Sequence, residues 1–213
     1  YFGDLLQFGS VSLGVNCGGS DNDLILIAPS FVTCEDFYNL FPQMLKGCDG
    51  LNLKSINVCR GAFVPVINLY APGCQVDIVF ANVDVPLSVQ ELIHDSIRFQ
   101  VDRSSLHSLS GVRATEAIKN IVPVQSQMAF RGALRTIKMW ADRRGIYGNV
   151  YGFLNGVACA IMVAYICILN PHDAANVIVY KVFQTFSNHS WPLPILLKKL
   201  EADPQYPSSW VPI

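Results

Sequence analysis

The first half of the chain alternates short apolar runs with turn residues. These runs predict β-strands at residues 24–28, 55–60, 62–70 and 76–81. Ala71-Pro72-Gly73 predicts a tight turn between the last two strands, and Pro65 indicates an edge strand or a bulge. Thr33 and Asp36 have the spacing of a helix start, which predicts a helix from there to about Lys46. The pattern indicates a largely antiparallel sheet with helices, an α+β fold.

The second half of the chain changes to a helical period. Between residues 127 and 144 the apolar side chains recur at i, i+4, i+7 and i+11, at Phe130, Leu134, Ile137 and Ala141. Ser126 is a candidate N-cap for this helix, and Gly145 is a candidate for its end. Further helices are predicted at residues 152–169 and 174–187. The second half is therefore expected to be helical.

The apolar segment 152–169 has the minimum length for a membrane-spanning helix. It contains Asn155 and two early glycines, and it lacks flanking Lys or Arg anchors. We therefore predict a helix that is buried in a protein core, with no membrane partner.

Charge is low overall but locally concentrated. The 213 residues include 15 Lys+Arg and 16 Asp+Glu, so the formal net charge is −1 and bulk attraction cannot explain binding to nucleic acid. Between Arg131 and Arg144, however, five basic residues face one acid, Asp142. The seven cysteines form no C-x-x-C pair and have no matching histidine cluster, which argues against a zinc site or a disulfide framework.

Three carboxylates stand at unusual positions. Asp21 and Asp23 are two residues apart at the entrance of an apolar strand, so an extended backbone points them to the same face. Asp77 interrupts another apolar strand, opposite to the face of its apolar neighbours. Neighbouring carboxylates repel one another, and hard divalent cations such as Mg²⁺ neutralise them. The alternative reading is that Asp21-Asn22-Asp23 is a turn without a ligand.

The Phe8-Gly9-Ser10 segment, the Asp-x-Asp strand start and the distant Asp77 resemble the DNA polymerase β-like nucleotidyltransferase superfamily. More specifically, the chain resembles eukaryotic poly(A) polymerases from Phe8 to about Trp210. The resemblance rests on FGSVSLGV, DNDLILIAP, AFVPVINL, VDIVFA, LSGVR, LRTIKMWADRRGIYGNVYGFLNGV and WPLPILLK. It implies a nucleotidyltransferase domain over residues 1–104 and part of a helical middle domain over residues 105–213.

The resemblance also implies roles for individual residues. The expected catalytic residues and metal ligands are Asp21, Asp23 and Asp77, with Mg²⁺ as the cofactor and Mn²⁺ as an alternative. The residues expected to contact ATP are Phe8, Gly9, Ser10, Phe63, Val64, Lys138, Tyr147, Asn149, Gly156 and Val157. Three positions depart from the family pattern, which has lysine at Asn68 and Asp142 and asparagine at Ser110.

The implied function is template-independent transfer of AMP from ATP to the 3′ end of RNA by a two-metal mechanism, as in mRNA polyadenylation. The implied partners are ATP, the RNA 3′ end and mRNA 3′-processing proteins, and the implied location is the nucleus. Two alternatives stay open: a related transferase that uses another nucleotide such as UTP, and a catalytically weak relative that serves as a binding scaffold.

Overall fold

The computed structural model describes residues 3–16, 20–84 and 88–198. The chain divides into two compact units, Tyr1–Ala117 and Ile118–Ile213, and the division falls within the helix Arg103–Ile121. The division predicted between residues 104 and 105 falls near the start of that helix and stays a prediction about domains.

The first unit contains a five-stranded sheet. Its strands are β1 Asp4–Phe8, β2 Asn22–Pro29, β3 Ser55–Cys59, β4 Val66–Ala71 and β5 Cys74–Val83. Their order across the sheet is β1-β2-β5-β4-β3. Strands β2 and β5 pair in parallel, and all other pairs are antiparallel. The prediction of a mixed, largely antiparallel sheet with flanking helices is confirmed.

Helices cover both faces of this sheet. They are α1 Gly9–Ser12, α2 Cys34–Asn39, α3 Phe41–Lys46, α4 Val89–Ile93 and α5 Arg103–Ile121. On one face Phe37 of α2 packs with Ile78 and Phe80, and on the other Leu109 of α5 packs with Ile25 and Val79 in a second core cluster. Because β2 and β5 are central strands, their alternate residues are buried on opposite faces.

Two prolines explain where the first unit differs from its predicted elements. Thr33 and Asp36 form the predicted capping box, but the helix breaks into α2 and α3 because Pro42, in the first turn of α3, has no N–H to continue the α2 hydrogen bonds. Pro65 lies just before β4, and β4 is an interior strand. The prediction of an edge strand or bulge at Pro65 is wrong, because the strand begins only after the residue that cannot donate to its ladder.

The second unit contains the three predicted helices, α6 Gln127–Arg143, α7 Gly156–Leu169 and α8 Ala175–Ser187. Gly145 ends α6 with a left-handed φ of +67°. Ser126 stands at the N-cap position of α6, but its side chain makes no cap hydrogen bond, because its backbone is helical (φ −90°, ψ −9°) and not extended; its hydroxyl donates to the Pro171 carbonyl. Helix α7 starts later than predicted because the Asn155 side chain accepts the Ala158 N–H and caps it there. No helix in the described part of the chain is long and apolar enough to cross a membrane.

Candidate nucleotidyltransferase site

The parallel pairing of β2 with β5 brings two of the three predicted carboxylates side by side. Asp23 of β2 and Asp77 of β5 are register partners in neighbouring strands. Both lie on the sheet face that also carries Ile25 and Val79, where α5 packs. The sequence alone placed each aspartate on a face of its own strand, and the strand order places the two faces together.

Asp21 is the residue immediately before β2. Burial, with a second contribution from the negative charge of Asp77, raises the pKa of Asp21 above its ordinary value. Burial is the larger cause, and the smaller charge contribution indicates that Asp21 lies near Asp77. That all three aspartates form one site stays a prediction.

Asn68 holds Asp77 from the neighbouring strand β4. The two residues are register partners, and the Asn68 side-chain amide donates to Asp77 Oδ1 over 2.8 Å. The Cys59 thiol in turn donates to Asn68 Oδ1 over 3.2 Å, which fixes the orientation of the amide. The residue that departs from the family's lysine is therefore a hydrogen-bond partner of a predicted metal ligand.

The donor chemistry of the three carboxylates fits a hard divalent cation, since such ions prefer carboxylate oxygens. Asp77 Oδ1, however, is engaged by Asn68 in this structure. Within residues 3–16, 20–84 and 88–198, no three His, Cys, Asp or Glu side chains are grouped closely enough to hold a metal ion. The residue types and their place on two neighbouring strands fit such an ion.

Phe8, Gly9 and Ser10 lie directly beside the carboxylates. Strand β1 ends at Phe8, the register partner of Asp23, and the chain then turns into α1 through Gly9 with φ +66°. A Cβ atom at Gly9 would overlap Asp23 Oδ2, so only glycine fits there. Ser10 stands in the first turn of α1, where backbone N–H groups lack intrahelical acceptors.

The two residues predicted to contact adenine from the first unit have different environments. Phe63 is 83% exposed and stacks on the His107 ring at a centroid distance of 4.6 Å. Val64 is half-buried and packs against the α5-side core cluster. Phe63 therefore presents an open aromatic face, while Val64 also supports the core.

The predicted residues of the second unit surround the start of α7. Gly156 is the first residue of α7, and a Cβ atom there would lie 3.0 Å from the Tyr147 hydroxyl oxygen. Burial raises the pKa of Cys159, and the positive charge of nearby Lys138 opposes that rise. Val157 in the first turn of α7 is 47% exposed. Tyr147 therefore lies beside the first turn of α7, which contains Gly156 and Val157, and Lys138 of α6 lies near Cys159 in that helix.

Asn149 is exposed in the 3₁₀ turn Asn149–Tyr151, which leads toward α7. Gly148 and Gly152 flank this turn with φ values of +115° and +75°. The Gly148 N–H donates to the Leu154 carbonyl and closes the loop. The loop geometry therefore requires the two glycines and leaves Asn149 accessible.

Sequence reasoning missed two residues that touch this site. Gly111 and Thr115 of α5 contact Phe8 and Gly9, respectively. Helix α5 was not among the predicted elements, so neither residue could be placed from the sequence; once the helix is known, a glycine in its interior indicates a close approach.

A mixed sheet with paired aspartates on two neighbouring parallel strands, beside a Gly-Ser turn, is typical of a nucleotidyltransferase fold. Two solved structures support this class: the polymerase core of TRAMP, an RNA surveillance complex, and the poly(U) polymerase Cid1 in complex with its short product ApU. The first has a TM-score of 0.59 at 18% identity and covers 89% of this chain and 53% of its own. The second has a TM-score of 0.59 at 13% identity and covers 90% of this chain and 62% of its own, so both likenesses concern the fold.

The family follows from closer matches. The model of the poly(A) polymerase nucleotidyltransferase domain matches residues 2–122, and that of the poly(A) polymerase central domain matches residues 129–213. Poly(A) polymerase PAPa of Candida albicans is 40% identical over 99% of this chain, and poly(A) polymerase pla1 of Schizosaccharomyces pombe is 37% identical over 99%. The chain belongs to the poly(A) polymerase family. It spans 38% and 37% of the length of these two relatives.

Proposed function

We propose that this chain transfers AMP from ATP to the 3′ end of RNA without a template. The observation that carries the proposal is the parallel register of Asp23 and Asp77, with Gly9 against the Asp23 carboxylate. In this arrangement a glycine turn lies directly beside oxygen ligands of the kind that hard divalent cations prefer. Membership of the poly(A) polymerase family supports the choice of nucleotide and acceptor.

In the proposed reaction the RNA 3′-hydroxyl oxygen forms a bond to the α-phosphorus of ATP. The bond between that phosphorus and the oxygen that bridges it to the β-phosphorus breaks, and pyrophosphate leaves. Divalent ions, generally Mg²⁺ and alternatively Mn²⁺, would supply charge neutralisation and activation of the hydroxyl when bound. Asp21, Asp23 and Asp77 would hold them.

The remaining proposed roles follow from the side chains. Ser10 offers a hydroxyl and a first-turn N–H to phosphate oxygens. Lys138 and Tyr147 offer a cation and a hydroxyl for the triphosphate, and Asn149 offers a polar contact. Val64 and Val157 offer apolar contacts to the adenine, which suits a base that is recognised by packing against its ring faces more than by hydrogen bonds to its edges.

Primer extension tests the proposal directly. The protein is incubated with oligo(A), Mg²⁺ or Mn²⁺ and each nucleoside triphosphate separately, with Asp77→Asn as the matched control. We expect extension with ATP by the wild-type protein and none by the control. Extension with UTP and not ATP would favour the uridylyltransferase alternative. Binding of ATP without extension by any nucleotide would favour the scaffold alternative.

We further propose, from the resemblance to poly(A) polymerases, a role in mRNA 3′-end processing, contact with 3′-processing proteins and a nuclear location. Fractionation of cells that express the tagged protein tests the location, and recovery in the cytosolic fraction alone would contradict it.

A further inference from the structure

Helix α5 reaches the Phe8–Gly9 segment with two residues that are one helical turn apart. The Thr115 hydroxyl accepts a hydrogen bond from the Gly9 N–H over 3.0 Å and donates one to the Gly111 carbonyl over 2.8 Å. Thr115 is only 5% exposed. Because its hydrogen is committed to the helix carbonyl, the hydroxyl oxygen is oriented as an acceptor toward Gly9.

Gly111 completes this contact by leaving room for an aromatic ring. A Cβ atom at Gly111 would overlap Phe8 Cε2 and lie 2.8 Å from Phe8 Cδ2. Glycine is unfavourable in the interior of a helix, so its presence near the centre of α5 needs a reason. The Phe8 ring, lying directly on the helix backbone, supplies that reason.

The position of Gly9 is coupled to that of Asp23. The Gly9 Cα approaches the Asp23 carboxylate so closely that a Cβ would overlap Oδ2. A shift of Gly9 therefore either pushes this carboxylate or opens a gap beside it. Any residue that fixes the Gly9 N–H also fixes the spacing between the turn and Asp23.

We infer that Thr115 is a positioning residue for nucleotidyl transfer, whose hydroxyl holds the Phe8-Gly9-Ser10 turn at the distance from Asp23 that the triphosphate requires. Gly111 assists by seating the Phe8 ring. This inference rests on the proposed function for its effect on catalysis, but its effect on the turn can be measured without any reaction.

The test variant is Thr115→Val, which keeps the shape of the side chain and removes the acceptor. Thr115→Ser restores the hydroxyl, and Thr115→Ala is the second variant if Thr115→Val does not fold. Ser105→Ala is the matched control. Ser105 is also on α5, is 1% exposed and accepts a backbone N–H, that of Asn82 over 3.0 Å, but Asn82 lies five residues beyond Asp77 along β5.

Steady-state kinetics separate positioning from general loss of structure. Destabilisation alone reduces the amount of active protein, which lowers kcat and leaves the KM for ATP unchanged. We expect Thr115→Val to raise the KM for ATP and lower kcat/KM by about 10- to 100-fold, since a shift near 1 Å costs on that order. Thr115→Ser should recover most of this loss, and Ser105→Ala should leave the KM for ATP unchanged.

Amide hydrogen exchange over residues 8–13 supplies the reaction-independent measurement. Exchange should be faster in Thr115→Val than in both wild type and Ser105→Ala. If the wild-type protein does not transfer AMP, the proposed function fails while this comparison still decides the inference. An unchanged KM for ATP in Thr115→Val and Thr115→Ala, an equal rise in Ser105→Ala, or exchange rates in Thr115→Val that match the control would overturn it.

Discussion

Replacing Asn68 by aspartate tests whether this residue governs the charge of the site. The two side chains have the same shape, so packing should be preserved. The change removes the amide that donates to Asp77 Oδ1 over 2.8 Å and puts a second carboxylate in its place. The Cys59 thiol keeps its oxygen acceptor. The perturbation is therefore almost purely electrostatic.

The expected loss of stability has two sources. Two like charges about 4 Å apart repel by about 1 kcal/mol in water and about 4 kcal/mol at an effective dielectric constant near 20. A hydrogen bond to a charged group contributes about 1.5–3 kcal/mol, and its loss adds to the repulsion. Because Asp77 is partly exposed, the repulsion should lie toward the lower value, and we expect a total loss of about 2–4 kcal/mol.

Urea unfolding at neutral pH and physiological salt measures this loss, and Asn57→Asp is the matched control. Asn57 is the register partner of Asn68 on edge strand β3 and is exposed. Its side chain lies two strands from Asp77, about 9–10 Å away at normal strand spacing. That separation is close to the screening length of physiological salt, so the control should lose less than about 1 kcal/mol.

Mg²⁺ should restore more stability to Asn68→Asp than to wild type or Asn57→Asp, because the added carboxylate is an additional ligand for the cation. If Asn68→Asp were as stable as Asn57→Asp, or if Mg²⁺ stabilised all three proteins equally, the assignment of Asn68 and Asp77 to one charged site would be refuted.

Three further predictions concern other parts of the chain. Lys138→Ala should raise the KM for ATP and lower kcat/KM by an amount equivalent to about 2–4 kcal/mol, and unchanged kinetics would make Lys138 a surface charge. Gly111→Ala should cost about 1–3 kcal/mol in urea unfolding, although alanine favours helices, and Phe8→Leu in the same chain should recover part of the loss. Burial raises the pKa of Tyr38 to about 12, so the unfolded state ionises at a lower pH than the folded state. Wild type should therefore lose stability relative to Tyr38→Phe as pH rises from about 10 to 12. Parallel curves of unfolding free energy against pH would contradict this.

The sequence predicted the elements better than their arrangement. The apolar run at residues 24–28 and the capping box at Thr33 reflect local chemistry, and both are confirmed. The parallel contact of β2 with β5 joins segments that are about fifty residues apart, and alternation of apolar residues does not encode which strands are neighbours. The break before Pro42 was open to prediction, because proline has no N–H for the preceding helix to use.

The same distinction applies to the site. The i, i+2 spacing singled out Asp21 and Asp23, and the carboxylate inside an apolar strand singled out Asp77, while the resemblance supplied their expected roles. The hydrogen bond from Asn68 to Asp77 depends on the β4–β5 register, which no local pattern fixes. Thr115 could not be singled out, since a threonine in a helix more often bonds only to its own backbone.

The central claim is that Asp77 belongs to the group that performs transfer, and the most direct measurement is the rate of AMP addition to oligo(A) by Asp77→Asn. Asp4→Asn is the control, because Asp4 is an exposed carboxylate at the far end of β1. Asp77→Asn removes one of several repelling carboxylates and keeps an oxygen that can accept from Asn68, so we expect the variant to fold. Urea unfolding checks that lost activity is not lost fold. We expect no detectable extension by Asp77→Asn and wild-type extension by Asp4→Asn. Near-wild-type turnover by a folded Asp77→Asn protein would contradict the assignment of this site.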